Sequence, residues 1–352
     1  MLEINRFASA RLSQRTFTGR KKMDAKITKK RLLGMLSYDW IKIIAVICGG
    51  IFFWVIVFTT TATRITPSQN FYVYNYKVNR TLSNKFHNHL DNAFQKGLFS
   101  YEVVEYNVGD LVAAGDYTST LLDARMSVSE GDIMFIPNIP DPDYAITDTT
   151  TNETIYPYTC LEAFVATYRS VLYELDGENG YFTQMEKFLN GYYGGDYKTG
   201  TLDEAKVKAD FRERVKKNKD KRFKKEAQIE QGANAEVERI QKYKTALEEF
   251  NAYLGAGIIS FTQVTMDVTE EIQVQGNFAI NLCPDEEKLP LLKEYVSYVT
   301  EKENPDGSTA NVYTAQNMNV TIFKFSDVEE SFEYEAVLYL VDLIKNCLPT
   351  AN

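Results

Sequence analysis

Residues 43–58 read IIAVICGGIFFWVIVF, an apolar run followed by a threonine flank, Thr59–Thr61. A helix rises about 1.5 Å per residue, so the run and its flank cover roughly the ~30 Å hydrocarbon core of a bilayer. The sequence therefore predicts one transmembrane helix over residues 43–61. The residues that we expect to anchor it in the lipid are Ile43, Ile47, Phe52, Trp54 and Val57.

Positive charge is concentrated on one side of this run. Residues 1–42 contain 11 Lys/Arg and 3 Asp/Glu, whereas Arg64 is the only charged residue in the first stretch after the run. Short positive flanks stay in the cytoplasm. We therefore expect a single-pass protein of the cell membrane, with residues 1–42 as a cytoplasmic basic tail and the bulk of the chain extracytoplasmic.

Two other interpretations of the N-terminus are less favoured. A cleaved signal peptide has a shorter apolar core than this aromatic run. A lipoprotein is disfavoured because Ile47 stands where a small residue precedes the modified cysteine, which would be Cys48. Both Met1 and Met23 remain open as the start, since Met23 begins a basic leader of its own.

The composition of the outer part excludes some classes of function. Residues 65–352 hold 27 Lys/Arg and 45 Asp/Glu, a net charge of −18. Such an acidic surface disfavours nucleic acid, because binding to phosphates requires basic side chains. Three cysteines lie outside the apolar run, too few and too widely spaced for a disulfide framework. A bond between Cys283 and Cys347 stays open.

After a tether over residues 62–70, the pattern predicts a first α/β lobe over residues 71–160. Alternating strands and helices at these spacings predict parallel pairing of the strands. The predicted elements are strands at Phe71–Lys77, Tyr101–Tyr106 and Ile133–Ile136 and helices from Thr81 or Ser83 to Lys96 and over Thr118–Ser127.

Residues 161–257 form a predicted helical region. Helices are expected at Leu161–Leu175 and Phe182–Leu189, followed by a highly charged helical hairpin over Asp203–Leu254 that is broken near Gly232. Residues 258–352 form a second α/β part that ends in a C-terminal helix. Its predicted elements are strands near Ile258–Thr262, Val264–Val274, Phe278–Leu282 and Val320–Phe325 and helices at Glu286–Val299 and Glu330–Leu348.

Two stretches resemble a known family. Residues 71–137, above all LLDARMSVSEGDIMFIPN (Leu121–Asn138), are similar to the first lobe of type 2 solute-binding proteins of bacterial ABC importers. The stretch NVTIFKFSDVEESFEYEAVLYLVDLI resembles a late strand and helix of such chains. The resemblance implies a periplasmic-binding-like α/β fold, here with a transmembrane anchor and the charged hairpin as an insertion.

The best candidate for a binding site follows the third predicted strand. Acidic residues cluster in DPDYAITD, and asparagines stand at or near the predicted strand ends. In doubly wound sheets, ligands bind outside the carboxyl ends of the strands. The candidate ligand-binding residues are Asn75, Asn107, Asn138, Asp141, Asp143 and Tyr144. A turn stabilised by aspartate side chains is the alternative interpretation.

The sequence offers little for catalysis. His87 and His89 are the only histidines, and an i, i+2 pair points to different faces of a helix, so we expect surface positions and no metal site. No combination of acid, base and nucleophile is recognisable, and the glycine-rich stretches lack the phosphate-binding pattern. We therefore expect a non-catalytic protein without a cofactor.

Two functions remain. The first is a membrane-anchored, extracytoplasmic protein that captures a small solute, a sugar or a peptide, for an importer or sensor, with an ABC permease as the implied partner. The alternative is a structural or assembly protein that uses its acidic surface and helical hairpin to bind other membrane proteins. A cleft with aromatic walls and convergent polar groups would favour solute capture.

Overall fold

The computed structural model describes residues 28–61, 66–76, 82–218, 220–267, 273–303, 307–325 and 330–349. The chain divides into two compact units, residues 1–64 and residues 65–352. The first 27 residues of the predicted basic tail, with both candidate start sites, lie outside the described residues, as do residues 62–65 of the predicted tether. The subdivisions predicted within residues 65–352 remain predictions.

The first unit contains one long helix, α1 (Lys29–Thr61). It begins 14 residues before the predicted start, because residues 29–42 contain no proline and continue the helix without a break. Within it, Trp40–Thr59 has a mean hydropathy of 2.6 and no buried residue. All five predicted anchor residues lie in this span. In the described part of the chain, α1 is the one helix long and apolar enough to cross a membrane.

The second unit alternates strands and helices as the sequence predicts. Its first half comprises β1 (Asn70–Asn75), α2 (Asn84–Gln95), β2 (Glu105–Asp110), α3 (Thr118–Met126), β3 (Ile133–Pro137), β4 (Ile146–Thr147), β5 (Thr154–Ile155), α4 (Cys160–Tyr168) and α5 (Tyr181–Asn190). Its second half comprises α6 (Glu204–Asn218), α7 (Glu226–Gly255), β6 (Ser260–Asp267), β7 (Gln273–Asn281), β8 (Tyr298–Glu303), β9 (Thr309–Thr314), β10 (Met318–Ile322) and α8 (Glu335–Cys347).

One mixed six-stranded sheet organises the second unit, in the order β2-β1-β3-β10-β7-β6. Strand β1 pairs in parallel with β2 and with β3, which confirms the predicted parallel arrangement of the first three strands. Strand β10 runs antiparallel to both β3 and β7, with Val320 opposite Phe135 and Ile280. Strands β1, β2 and β3 therefore share one sheet with β6, β7 and β10, whereas β4 with β5 and β8 with β9 form two-stranded sheets of their own.

Both faces of this sheet are buried. Phe71 and Val73 of β1 point into a core that includes α2, α5, α7 and α8. Tyr74, the next strand residue on the opposite face, belongs to a second core with residues of α3 and α4. Because strand side chains alternate, a strand covered on both faces is apolar throughout, as in IMFIP of β3. The second unit is thus a layered α/β structure.

The charged hairpin predicted over Asp203–Leu254 consists of α6 and α7. The helices are interrupted at residues 219–225 and not near Gly232, which lies inside α7. A Cβ atom at Gly232 would lie 2.5 Å from the rings of both Phe211 and Phe223. The predicted break near Gly232 is therefore wrong. The absence of a side chain at Gly232 instead lets α6 and the segment before α7 approach α7 closely.

A buried ion pair lies within α7, and its two side chains also contact α6 and the segment before α8. Arg239 is 1% exposed, and its guanidinium donates two hydrogen bonds to the carboxylate of Glu236, at 2.8 and 2.7 Å. It donates a third to the carbonyl of Ser331, at 3.0 Å. Arg214 of α6 also contacts Glu236, at 3.1 Å. Burial alone would raise the pKa of Glu236, but Arg239 and Arg214 outweigh it and hold this pKa at about 2.

Several predicted elements differ from the structure. The single strand predicted over residues 264–274 is wrong, because its two ends belong to β6 and β7 and pair with each other, Met266 opposite Val274. Strand β2 starts at Glu105 instead of Tyr101, because the ring of Tyr101 packs edge-on against Phe211 and Phe223 and the carboxylate of Glu102 pairs with Arg222 at 2.8 Å. The helix predicted over residues 286–299 is wrong. Only residues 292–294 form a short 3-10 turn there, and residues 298 and 299 pair with β9. Helix α4 ends at residue 168, well before the predicted end at residue 175.

Cysteine side chains are buried in the second unit. Cys160, Cys283 and Cys347 are at most 1% exposed, and Cys283 and Cys347 are thiols that form no disulfide with each other. Burial raises the pKa of Cys283 and that of Cys347 to about 12. Both side chains belong to the core that α8 shares with the sheet.

Candidate functional site

A cavity of about 1120 Å³ opens at the carboxyl ends of the three parallel strands. Tyr76 directly follows β1, Leu111 directly follows β2 and Ile139 lies two residues after β3, and all three line the cavity. Parallel strands end at the same edge of a sheet, which brings these residues together. Because β1 lies between β2 and β3, successive strands are added on opposite sides of β1, and ligands bind at such switch points of strand order in α/β sheets.

The loop after β3 forms one wall and is firmly held. The amide of Asp141 donates to the carbonyl of Tyr158 at 2.9 Å, and the amide of Cys160 donates to the carbonyl of Ile139 at 2.8 Å. The carboxylate of Asp141 accepts a hydrogen bond from the amide of Asp143 at 3.0 Å and so begins a short turn over Pro142–Tyr144. The backbone of this wall is therefore held at residues 139 and 141.

Tyrosine rings make up much of the remaining surface. Tyr76, Tyr144, Tyr156 and Tyr168 all line the cavity. The ring of Phe164 supports two of them, with ring centroids 5.2 Å from Tyr76 and 4.9 Å from Tyr168. Aromatic faces with a few convergent polar groups are typical of sites for small organic ligands.

Burial raises the pKa of two of the cavity phenols, those of Tyr76 and Tyr168. Burial, followed by the charge of Asp141, raises the pKa of Tyr76 to about 12. Burial also raises the pKa of Tyr168, whose hydroxyl donates to the carboxylate of Asp123 at 2.8 Å. The lining therefore presents aromatic faces, phenolic hydroxyls and the side chains of Asp141 and Asp143.

The start of α3 closes another side. Thr118, the first residue of α3, donates its hydroxyl to the carbonyls of Leu111 and Gly115, at 2.8 and 2.7 Å. Gly115 has φ +54°, a conformation that favours glycine. Thr118 and Ser119 bring hydroxyl groups to the lining. The segment between β2 and α3 is thus shaped around the cavity.

Of the six predicted ligand-binding residues, Asp141, Asp143 and Tyr144 line this cavity and three do not. Asn75 ends β1 and is fully buried, and the amide of Asn138 donates to the carbonyl of Asn317 at 2.9 Å. Asn107 lies in the middle of β2, and its side chain donates to Asn70 at 3.0 Å. It was expected at a strand end, but β2 starts and ends four residues later than predicted.

The sequence prediction missed most of the tyrosine wall. Tyr76 directly follows β1, a strand that the sequence predicts. Its position at a strand end, the signal that selected Asn75, could therefore also have identified Tyr76. Tyr156 and Tyr168 reach the cavity from the segment around α4, and no periodic pattern indicates that this segment folds over the strand ends.

The histidines lie elsewhere. His87 is exposed as predicted, but the prediction of a surface position is wrong for His89, whose side chain is 10% exposed. The ring nitrogen Nε2 of His89 lies 2.8 Å from the carboxylate of Asp342, beside a smaller cavity of about 450 Å³. Within the described residues, no group of three or more His, Cys, Asp or Glu side chains is arranged to hold a metal ion.

Comparisons with protein-family models, curated proteins and solved structures give no match for this chain. Inference about its function therefore rests on the sequence and on the geometry of the cavity.

Proposed function

We propose that this chain is a membrane-anchored, extracytoplasmic protein that captures a small solute, such as a sugar or a short peptide, in the cavity at the carboxyl ends of β1, β2 and β3. It acts without catalysis and hands the solute to an importer, such as an ABC permease, or to a sensor. The observation that carries this proposal is the cavity itself, with its four tyrosines and two aspartates.

Two further observations support the membrane anchor. The span Trp40–Thr59 is long and apolar enough to cross a bilayer. The excess of Lys/Arg within residues 1–42 favours a cytoplasmic N-terminus. Under this proposal, the second unit lies outside the cell membrane, where it meets solutes directly.

The arrangement of the sheet supports the finer assignment of the fold. Three parallel strands in the order β2-β1-β3 are followed by the antiparallel β10. The candidate cavity lies beside β1, where the order of the strands switches sides. This strand order and the place of the cavity support a periplasmic-binding-like α/β domain into which α6 and α7 are inserted. No residue of α6 or α7 is among the described residues that line the cavity.

The test is thermal unfolding of the full chain in detergent against a panel of sugars, amino acids and short peptides. A ligand that binds only the folded state stabilises it by RT ln(1 + [L]/Kd), about 2.7 kcal/mol at a hundredfold excess over Kd. We expect one class of solute to raise the unfolding temperature. The substitution Tyr144→Ala should abolish that shift. Tyr313→Ala should not, since Tyr313 is also exposed (55%, against 45% for Tyr144) but does not line the cavity.

The alternative, a membrane-tethered assembly protein that uses its acidic surface and the α6–α7 hairpin, has one observation in its favour. Ile146 and Ile155 pair across β4 and β5 and are 60% and 59% exposed, which is unusual for two neighbouring large apolar residues. A flat ligand panel from a well-folded protein would favour this function. Photo-cross-linking in intact membranes from position 155, with position 313 as the control, would then identify the neighbouring membrane protein.

A further inference from the structure

The turn between α6 and α7 carries a charge opposite to that of the unit around it. Residues 216–225 read KKNKDKRFKK and hold seven Lys/Arg and one Asp, whereas the remainder of residues 65–352 holds 20 Lys/Arg and 44 Asp/Glu. We refer to residues 216–225 as the basic tip. A basic tip on an acidic body gives the second unit a charge asymmetry that orients it in an external field.

The single acid of the basic tip is neutralised, and its exposed lysines are not. Asp220 pairs with Arg222 at 2.7 Å, and Arg222 also pairs with Glu102 at 2.8 Å. The ring of Phe223 packs edge-on against that of Phe211, with centroids 5.1 Å apart, so the turn is held against α6 and the segment before β2. Five lysines of the tip are exposed and, among the ion pairs of the described residues, take part in none: Lys216, Lys217, Lys221, Lys224 and Lys225.

Helix stability explains only some of these lysines. Lys216 and Lys217 occupy the last turn of α6, where the helix dipole favours cations. Lys225 stands at the N-cap of α7, and Lys224 directly precedes it. There the positive end of the helix dipole repels cations, and Ser, Thr, Asp or Asn are the preferred cap residues. Because local stability argues against lysine at both positions, these two side chains indicate a binding role.

An anionic membrane surface fits this tip. Clusters of about four to eight Lys/Arg are typical of segments that bind anionic lipids, and lysine ammonium groups on flexible stems need no fixed geometry for it. Helix α1 ends at Thr61 and β1 begins at Asn70, so a short connection tethers the tip to the membrane of the proposed anchor. We propose that the basic tip binds the anionic phospholipid headgroups of that membrane. The same surface repels the acidic body, and the contact therefore orients the second unit. This inference rests on the proposed membrane anchor and not on solute capture.

Energy transfer in nanodiscs that hold one copy of the full chain tests the inference. Asn218→Cys in a Cys48→Ser background carries a donor dye at the tip, since the other three thiols are buried, and the acceptor dye is attached to lipid headgroups. The discs contain phosphatidylcholine alone or phosphatidylcholine mixed with phosphatidylglycerol. We expect more energy transfer in the anionic discs and a return to the phosphatidylcholine value as salt screens the charges.

Paired charge reversals connect the effect to the tip. Lys224→Glu with Lys225→Glu should lower the ratio of docked to undocked tip about tenfold or more, because each lysine near an anionic surface contributes roughly a factor of five. The variant should fold, since the dipole of α7 favours acids at these positions, and thermal unfolding checks this. Lys293→Glu with Lys302→Glu changes the net charge equally at exposed positions outside the tip and should leave the transfer unchanged.

Three results would overturn the inference. The first is equal energy transfer in both kinds of disc, and the second is an equal loss in both paired variants. The third is contact of position 218 with a second copy in crowded vesicles, without a lipid effect in single-copy discs, which would assign the tip to an acidic protein surface. A chain that does not enter nanodiscs at all would overturn the membrane anchor as well, whereas the ligand panel in detergent tests solute capture separately.

Discussion

At the level of single residues, two ion pairs of the α6–α7 region differ in burial and therefore in their effect on stability. Arg239 and Glu236 have side chains that are 0% and 2% exposed, whereas Arg212 and Glu230 are 44% and 48% exposed. Removing one partner of a buried pair leaves an uncompensated charge in a medium of low polarity. Removing one partner of an exposed pair leaves a charge that water solvates.

The substitution Arg239→Ala should lower the free energy of unfolding by about 3–5 kcal/mol, because Glu236 then stays buried with only Arg214 as a partner. The matched control Arg212→Ala should change it by less than about 1 kcal/mol. Urea unfolding followed by circular dichroism measures both. Equal effects of the two substitutions would show that the buried pair has no special role in stability.

The low pKa of Glu236 predicts how this contribution depends on pH. Its pKa falls from an ordinary value of 4.5 to about 2 in the folded chain, so the folded state favours the ionised carboxylate. The resulting stability is fully present above pH 4.5 and is lost as the pH falls towards about 2. The difference in unfolding free energy between the native chain and Glu236→Gln should therefore shrink over this range. A constant difference from pH 6 to pH 2 would contradict the prediction.

The candidate site was partly predictable from single residues. Asp141, Asp143 and Tyr144 follow a strand whose position was predicted almost correctly, and proximity to a strand end was enough to place them. The hydrogen bonds that hold Asp141 come from residues 143 and 158, and the second of these is remote in sequence. Tyr168 depends on how α4 crosses the sheet, which tertiary packing decides and local pattern does not.

At the level of secondary-structure elements, the contact of α6 with α7 depends on the absence of a side chain. Gly232 is buried in α7 and faces the rings of Phe211 and Phe223. Alanine has a higher helix propensity than glycine, by about 1 kcal/mol. Replacing an exposed glycine inside a helix with alanine would therefore stabilise the protein. At Gly232 the added methyl group has no room, and the steric cost exceeds this gain.

We therefore expect Gly232→Ala to lower the unfolding temperature. Gly255, the last residue of α7, has no neighbouring atom within 4 Å of a Cβ position. Gly255→Ala should accordingly leave the unfolding temperature unchanged or raise it slightly. Differential scanning calorimetry of both variants distinguishes the effects, and a stabilising Gly232→Ala would mean that α6 can move away from α7 without loss.

Some secondary-structure elements could be predicted from the sequence, and others could not. Strands β1 and β3 are apolar on both faces and bounded by clear turns, so their existence and parallel pairing followed from pattern alone. The helix predicted over residues 286–299 failed because Tyr298 and Val299 form a strand pair with Thr314 and Tyr313. A pairing partner 14 or more residues away outweighed a helical spacing of apolar residues.

At the level of the whole molecule, the orientation in the membrane has a direct test. Asn152 stands in the sequence Asn-Glu-Thr at the exposed turn between β4 and β5, which makes it a suitable acceptor for N-glycosylation. Synthesis in the presence of eukaryotic microsomes should attach a glycan there, because the proposed topology places the second unit in the lumen. Gel mobility before and after glycosidase treatment reports the modification.

Two threonines provide the control. The hydroxyls of Thr147 and Thr154 are 3.2 Å apart across the hairpin, so either alanine substitution removes the same contact. Only Thr154→Ala destroys the acceptor sequence at Asn152 and should remove that one glycan, whereas Thr147→Ala should retain it. The other acceptor sequences, at Asn79 and Asn319, are unchanged in both variants, so the two variants should differ by one glycan in gel mobility. Absence of any glycan from the unmodified chain would argue against an extracytoplasmic second unit.

The central position of β10 has a consequence for biosynthesis. About 180 residues separate the end of β3 from the start of its neighbour β10. A ribosome that adds about 5–20 residues per second needs roughly 10 to 40 s to cover that distance. Throughout this interval β3 has no partner on that side. When β7 emerges it can pair with β6, but its other edge also lacks a partner until β10 is made. The nascent chain thus carries two open apolar strand edges, and a bound chaperone or an immediate passage through the membrane would protect them until synthesis is nearly complete.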